Sequence, residues 1–166
     1  MWPTNPEERH GHELTARPID SVPRLSNKQF NMLSTGETGS GLGVDIEQKM
    51  LDYNKHELDK LGIVNRARSI LGKPDDPSLD ENSVDLDFFC NAYHHVEHHV
   101  DFWGKIKYVL KHKGRVLIVD FYHDERSGNL GFSKHHLVPR ERVIANVEKA
   151  GYTFSKEHTF LPRQYF

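Results

Sequence analysis

The segment Arg115-Val116-Leu117-Ile118-Val119-Asp120 is the feature that most restricts how this chain can fold. Its four central residues are all apolar, without the alternation typical of a strand that has one face in water. An apolar run of this kind predicts a strand that is covered on both faces. Such strands are typical of parallel sheets flanked by helices, so the segment favours an α/β fold.

Strand and helix signals alternate on both sides of that segment. Apolar spacing predicts helices over residues 47–61, 100–111 and 139–150, and glycines at positions 62 and 151 follow the first and the last of them as stop signals. A short strand end is predicted at 43–46 and further strands at 64–71, 84–91 and 152–158, with the start of one more at 164–166. The alternation predicts a Rossmann-like, mostly parallel sheet with helices on both faces.

The first 40 residues differ from the rest of the chain. They contain Pro3, Pro6, Pro18 and Pro23, many polar residues and no sustained apolar period. Hydrophobic residues make up only 36% of the whole chain, which suggests that part of it is not packed. We therefore predict a poorly ordered segment over residues 1–40 and one domain over residues 41–166.

Composition limits the classes of partner and compartment. The formal net charge is −2 and no block of like charges stands out, so nothing indicates nucleic acid or an anionic membrane as partner. Cys90 is the single cysteine, which rules out an internal disulfide framework or a multi-cysteine zinc cluster. No apolar run approaches the roughly 18–20 residues of a membrane span, and the N-terminus lacks a signal-peptide core. A cytoplasmic protein is the expectation.

Ligands of such sheets bind beyond the carboxyl ends of the strands. The residues expected at that edge are Asp45, the loop 72–76, the segment 91–95 and the segment 120–123. Carboxylate, amide and imidazole side chains are frequent among them. These positions form the predicted functional edge.

Four segments in order resemble the class I S-adenosylmethionine-dependent methyltransferase family. Gly43-Val44-Asp45-Ile46 resembles the family's second strand, and residues 79–95, including Tyr93-His94-His95, resemble its fourth strand and following loop. Residues 109–115 resemble the turn into its fifth strand, with His112 and Lys113 in place of proline and glycine. Residues 158–166 are similar to the C-terminal strands of a bacterial small-molecule-type subgroup. The resemblance covers roughly residues 41–166.

The resemblance implies S-adenosylmethionine as cofactor and a small molecule as methyl acceptor. It places Asp45 as acceptor of hydrogen bonds from the ribose hydroxyls, a role that suits a carboxylate. Asp75 or Asp76 is either a partner of the adenine amino group or an ordinary turn residue. The cofactor-binding residues expected in this way are Gly41, Gly43, Asp45, Ile46, Pro74, Asp75, Asn91 and Tyr93. The candidates for a base that removes the acceptor's proton are His94, His95 and His123, since imidazole titrates near neutral pH.

The family's first strand and helix have no counterpart in this sequence. Glu37-Thr38-Gly39-Ser40-Gly41-Leu42-Gly43 fits the family's glycine loop, but Asp45 follows it directly instead of about 20 residues later. The pattern is therefore either a cofactor loop or a flexible joint. The position of the absent strand would be filled by direct pairing of its neighbours, by residues 28–35, or by a partner chain.

Two further hypotheses come from these features. Exposed strand edges tend to recruit partners, so a truncated, non-catalytic relative that binds or regulates a partner chain, or forms a homodimer through the open edge, is the alternative function. His94, His95, His98 and His99 include i, i+4 pairs, which are typical of zinc ligands on a helix. The alternatives for these histidines are a pocket role for His94 or His95 and a solvated surface at the helix entrance. We predict no metal site.

Overall fold

The computed structural model describes residues 39–166. Its strands are β1 (Gly41–Asp45), β2 (Ala67–Leu71), β3 (Val84–Cys90), β4 (Leu110–Phe121) and β5 (Gln164–Tyr165). Its α-helices are α1 (Gln48–Lys60), α2 (His99–Val109) and α3 (Arg140–Lys149). The alternation predicted from the sequence is confirmed for all three helices. Of the segment 1–40 predicted to be poorly ordered, residues 1–38 lie outside the described part.

The described strands form two sheets instead of one. β1 pairs with β2 in parallel, and β3 pairs with β4 in parallel, while β5 adds antiparallel to the other edge of β4. Helix α1 packs on β1 and β2, whereas α2 contacts β4 and packs on α3. The fold is α/β with mostly parallel strands, as the sequence predicts.

Helix α1 has a narrow buried face. Leu51 is its one buried residue, and the neighbouring polar positions face solvent. The helix ends before Gly62, which adopts φ +68, a left-handed conformation that costs glycine little. Leu61, which ends the helix predicted over residues 47–61, follows the observed helix as its C-cap and is 69% exposed.

A bulge near the start of β4 sets its register against β3. Val84 pairs with Leu110, but Leu86 pairs with Arg115, so residues 111–114 of β4 stand opposite the single residue Asp85 of β3. Gly114 is required there because a Cβ atom would lie 2.9 Å from the carbonyl oxygen of Lys111. The tight turn predicted at Gly114 is thus present as a bulge within the strand.

The hydrophobic core lies between the β3–β4 sheet and helices α2 and α3. Trp103 is completely buried, as predicted, and makes edge contacts with Phe89 and Phe102. The core cluster of buried residues comprises Tyr93, Phe102, Trp103, Ile106, Leu110, Tyr122, Val143 and Tyr165. These side chains fix the β3–β4 edge on which the candidate site is built.

One predicted strand is wrong. Residues 152–158 form no strand, because the edge of β4 is taken by Gln164 and Tyr165 and the segment has no ladder partner among the described residues. Near the end of this segment, the backbone amide of His158 donates a hydrogen bond to the carbonyl of Phe166 at 2.7 Å. Among the described residues, no helix has the length and apolar character that crossing a bilayer requires.

Candidate functional site

Asp45 ends β1 at the carboxyl edge of the first sheet. Its Oδ1 accepts a hydrogen bond from the backbone amide of Glu47 at 2.8 Å, which fixes the carboxylate at the start of α1. Ile46, the next residue, is 57% exposed. The pair therefore offers a carboxylate beside an exposed apolar side chain.

The loop after β2 is held directly against Asp45. The amide of Gly72 donates to the carbonyl of Asp45 at 2.9 Å, and a Cβ atom on Gly72 would lie 2.8 Å from Cγ1 of Val44. Pro74 and Asp75 lie in the tight turn that follows, closed by paired backbone bonds between Lys73 and Asp76. The structure thus brings the expected loop 72–76 to the same edge as Asp45.

Asp75 is already engaged in an ion pair. Its Oδ2 lies 2.7 Å from Nζ of Lys105 on α2, and this hydrogen bond lowers the pKa of Asp75. The Asp76 carboxylate caps its own turn by accepting from the amide of Ser78 at 2.8 Å. These partners favour the turn interpretation of both aspartates, and the Asp75 contact links the two sheets.

Gly41 and Gly43 do not form a loop. Both lie within β1, where they pair with Ala67 and Ser69 of β2. Gly41 starts the strand, so it is about 13 Å from Asp45 along β1. The structure separates Gly41 from the edge at which the other expected cofactor residues lie.

The carboxyl ends of β3 and β4 form the second part of the edge. Asn91 directly follows β3 with φ +52, and its amide donates to the carbonyl of Val119 at 2.8 Å. Its side-chain Oδ1 accepts from Nε2 of Gln164 on β5 at 2.7 Å. Two strands therefore hold Asn91 in a left-handed conformation that favours asparagine among non-glycine residues.

His94 and Asp120 form a buried pair across these strand ends. Nδ1 of His94 lies 2.9 Å from both carboxylate oxygens of Asp120, and the side chains are 6% and 1% exposed. Asp120 also accepts from the amides of His94 at 3.1 Å and Phe121 at 2.8 Å. A carboxylate can only accept, so Nδ1 carries a hydrogen, and the neutral form of the ring therefore has its lone pair on Nε2.

Two aromatic rings flank His94. The ring of His95 lies 4.2 Å from it, and Phe132, from the loop between β4 and α3, stacks on it at 5.9 Å with an interplanar angle of 20°. His95 is itself exposed. His123 is exposed three residues beyond Asp120, and no contact joins it to His94 in the part of the chain described.

Tyr93 supports the edge from beneath. It is fully buried, stacked on Trp103 and on His99, and its hydroxyl accepts from Nδ2 of Asn146 at 3.1 Å. Burial raises the pKa of Tyr93 and lowers that of His99. The side chain of Tyr93 thus belongs to the core. His99 stacks on Tyr93, whereas a solvated surface position was one of the alternatives considered for this histidine.

The histidines do not assemble as metal ligands. Residues 93–95 form a short 3-10 turn and α2 begins only at His99, so the i, i+4 pairs do not share a helical face. Within residues 39–166, no group of three or more His, Cys, Asp or Glu side chains is placed to hold a metal ion.

Sequence reasoning missed the partners within the site. It placed Asp120 at the edge without pairing it to His94, it gave Gln164 only as the start of a predicted strand, and it did not name Phe132. The carboxyl ends of neighbouring parallel strands lie at the same edge of a sheet. His94 and Asp120 follow or end two such strands, β3 and β4, so their positions in the sequence were a signal that could have identified the pair. Nothing in the sequence indicated the contacts of Phe132 or Gln164.

Comparisons with known proteins match this chain to one family. Residues 27–118 match the family model described as a methyltransferase domain. A solved SAM-dependent methyltransferase from Aquifex aeolicus shares 21% identity with a TM-score of 0.72, covering 78% of this chain and 68% of that one. A structure named as a type 11 methyltransferase from Sulfolobus solfataricus shares 19% identity with a TM-score of 0.60, covering 75% of this chain and 66% of that one.

A structure named as an O-methyltransferase from Nostoc punctiforme shares 23% identity with a TM-score of 0.63, and the match covers 75% of this chain but 42% of that one. The chain thus spans between about two fifths and two thirds of the length of these three structures. No curated protein matches it. At these identities the structures establish the shared fold, and the family model extends over more than half of the chain. The chain belongs to the S-adenosylmethionine-dependent methyltransferase family.

Proposed function

We propose that this chain transfers a methyl group from S-adenosylmethionine to a small molecule, with His94 as the base. The observation that carries the proposal is the buried pair between Nδ1 of His94 and Asp120, at 2.9 Å, on the carboxyl edge of β3 and β4. S-adenosylmethionine, when bound, supplies an activated methyl group.

The cofactor's nucleoside fits the chemistry at the end of β1. Asp45 has one carboxylate oxygen fixed by the amide of Glu47, and its second oxygen makes no recorded contact within the described residues. A carboxylate held in this way can accept from ribose hydroxyls. Ile46, at 57% exposure, offers an apolar surface for a base ring, and the turn with Pro74 borders it. Asn91, Ile46 and Asp45 are the residues we assign to cofactor binding.

His94 is arranged to accept a proton. Asp120 binds the hydrogen on Nδ1, which orients the ring and leaves the lone pair on Nε2. A hydroxyl acceptor must lose its proton as it is methylated, and a positioned imidazole typically contributes about 10²–10⁴-fold to such a step. Asp120 acts through His94 and is a positioning residue. His95 and His123 are less suited, because both are exposed, whereas His94 is buried at the strand ends.

A small acceptor suits the surroundings of His94. Its side chain is only 6% exposed and lies between His95 and Phe132, so a bulky folded substrate has little access. The near-neutral charge of the chain gives no reason to favour a nucleic acid.

The test combines cofactor binding with turnover in the full chain. Calorimetric titration with S-adenosylhomocysteine is expected to show saturable binding that Asp45→Ala weakens about 10- to 100-fold, since hydrogen bonds to charged groups contribute about 1.5–3 kcal/mol. Asp59→Ala, which removes an exposed carboxylate of α1, is the matched control and should bind normally.

Turnover is measured as S-adenosylhomocysteine release with a panel of small hydroxyl compounds. His94→Gln should lose at least about 10²-fold in rate while binding S-adenosylhomocysteine normally, and exposed His112→Gln should lose neither. Failure of the wild-type chain to bind the ligand would refute the proposal and favour the non-catalytic, partner-binding alternative.

A further inference from the structure

The loop between β4 and α3, residues 122–139, carries Phe132 to the buried base. The ring of Phe132 lies 5.9 Å from that of His94 with an interplanar angle of 20°, which is an offset stack. Phe132 is half-buried, whereas Gly131 and Ser133 on either side of it are exposed. The ring of Phe132 is therefore directed at the site instead of at solvent.

Arg163 fixes this loop relative to β4. Its Nε donates to the carbonyl of Ser127 at 2.7 Å, and its Nη2 donates to the carbonyl of Asn129 at 2.9 Å. A guanidinium binds two carbonyls at once because its donors form a rigid fork. The carbonyl of Arg163 in turn accepts from the amide of Tyr122, at the end of β4, at 3.1 Å. The loop is therefore held in place three residues before Phe132.

Two further hydrogen bonds hold the loop on either side of Phe132. Ser127 is completely buried, and its hydroxyl donates to the carbonyl of Asp124 at 2.9 Å. Lys134, two residues after Phe132, donates from Nζ to the same carbonyl at 2.8 Å. A loop that is ordered before a ligand binds presents its side chains at a smaller cost in conformational entropy. Phe132 thus has the support that a specificity-determining residue requires.

The base and the ring favour the same kind of acceptor. The lone pair on Nε2 of His94 lies in the plane of the imidazole, so a hydroxyl that donates to it approaches in that plane. A flat ring that carries this hydroxyl is then able to lie nearly parallel to Phe132, as aromatic stacking requires. An imidazole also takes the proton of a phenol, with a pKa of about 10, far more readily than that of a saturated alcohol, whose pKa is near that of water, about 15.7.

We propose that the methyl acceptor is a phenol-type aromatic hydroxyl compound, that Phe132 selects it by stacking on its ring, and that Arg163 is the positioning residue that holds Phe132. This inference rests on the proposed function and names its substrate class. In the transfer, a bond forms between the phenol oxygen and the methyl carbon while the bond from that carbon to the sulfonium sulfur breaks. The electron pair of the broken bond stays with the sulfur, giving neutral S-adenosylhomocysteine, and the phenol proton passes to Nε2 of His94.

One matched pair of compounds tests the acceptor class in the full chain. The probes are 2-naphthol and decahydro-2-naphthol, which share a carbon skeleton and a hydroxyl but differ in aromaticity. Each is titrated by calorimetry into the chain saturated with S-adenosylhomocysteine, and turnover is measured separately as S-adenosylhomocysteine release. We expect 2-naphthol to bind about 3- to 10-fold more tightly, as an aromatic pair contributes, and to exceed its saturated counterpart in kcat/KM at least about tenfold.

Variants of Phe132 test the stacking. Phe132→Leu keeps an apolar side chain but removes the ring, so it should raise Kd and KM for 2-naphthol about 3- to 10-fold. It should leave kcat within about twofold, since the stack is made in the ground state and the transition state alike. Phe132→Trp, which retains a ring, should preserve Kd and KM. Phe160→Leu removes an exposed ring of the C-terminal segment and is the matched control.

A double-mutant cycle tests Arg163. Arg163→Gln removes the fork and should raise KM for 2-naphthol in the same way as Phe132→Leu does, with kcat little changed. Because Arg163 acts through Phe132, the double variant should be no worse than Phe132→Leu alone, whereas independent effects would add. Arg68→Gln, at an exposed arginine of β2, is the control, and melting curves verify that every variant is folded.

The outcomes separate this inference from the proposed function. Equal binding and turnover of the two compounds, or an unchanged KM in Phe132→Leu, would overturn the acceptor class. Additive effects in the cycle would overturn the role of Arg163. A chain that binds S-adenosylhomocysteine but not 2-naphthol would overturn the acceptor class and leave the proposed function standing. A chain that does not bind S-adenosylhomocysteine would refute the proposed function and this inference with it.

Discussion

At the scale of single residues, Asp87 is an ionisable group in an unusual environment. Its carboxyl is buried on β3, and its Oδ2 has no hydrogen-bond partner within residues 39–166 that offsets the loss of water. Nε1 of Trp103 is likewise buried and without a hydrogen-bond partner in this part of the chain. Burial raises the pKa of Asp87 to about 7, opposed only in part by the backbone amide of Phe88. The carboxyl is therefore held in its neutral form in the fold at mildly acidic pH.

This burial predicts a pH-dependent stability. Between the unfolded pKa of about 3.9 and about 7, the folded chain binds a proton that the unfolded chain has released. The free energy of unfolding should thus fall by roughly 4 kcal/mol as the pH rises through this window and stay low above it. Asp87→Asn, which stays neutral, should remove that slope in urea unfolding series, whatever its absolute stability.

Asp85→Asn is the control for this prediction. Asp85 lies two residues earlier on β3, and its exposed carboxylate pairs with Lys111 at 2.7 Å. Its substitution should leave the slope in place. Parallel stability profiles for wild type and Asp87→Asn would show that the carboxyl is solvated and ionises normally.

At the scale of elements, Gly72 lies where the loop after β2 packs against β1, and this contact leaves no space for a side chain. A Cβ atom there would lie 2.8 Å from Cγ1 of Val44, whose β-branched side chain has little freedom in a strand. Gly72→Ala should lower the free energy of unfolding by about 1–3 kcal/mol, as overpacking does. Thermal unfolding measures the change.

Gly104→Ala is the matched substitution, and it is expected to change the free energy of unfolding in the opposite direction. Gly104 lies in the middle of α2, and an added Cβ would meet nothing within 4 Å. Gly104→Ala should therefore stabilise the chain by up to about 1 kcal/mol, because alanine favours helix interiors. If both alanine variants changed stability in the same direction, the close contact at Gly72 would not be the cause.

The elements also show where sequence reasoning succeeds. Helices α1, α2 and α3 follow from apolar spacing, with glycine stops after α1 and α3, because these signals are local. The pairing of His94 with Asp120 does not, because it depends on the bulge at residues 111–114, which shifts β4 so that Cys90 pairs with Val119. Residues 152–158 have strand-like composition, but the place beside β4 goes to Gln164 and Tyr165. Which segment pairs with the edge of β4 depends on tertiary contacts, and a local sequence pattern does not reveal those contacts.

At the scale of the whole molecule, the buried hydrophobic residues are unevenly distributed. Among the described residues before position 90, the buried apolar side chains are Leu51, Ala67 and Pro77, whereas the core cluster lies at or beyond Tyr93, with partly buried residues of β3 packed against it. Local stability follows the amount of buried apolar contact. The unit formed by β1, α1 and β2 should thus open more readily than the rest.

Hydrogen exchange with and without S-adenosylhomocysteine tests this difference together with the cofactor site. In the free chain, amides of β1 and β2 should exchange at least about tenfold faster than those of β4, since they report local opening. Saturating ligand should slow β1 and β2 far more than β4, because Asp45 belongs to the weaker unit and binding stabilises by about 2.7 kcal/mol at a hundredfold excess over Kd. In Asp45→Ala, that selective protection should disappear while the protection of β4 stays unchanged. Uniform exchange across both units would mean that the β1–α1–β2 unit draws its stability from contacts other than its own small core, and ligand protection confined to β4 would place the cofactor away from Asp45.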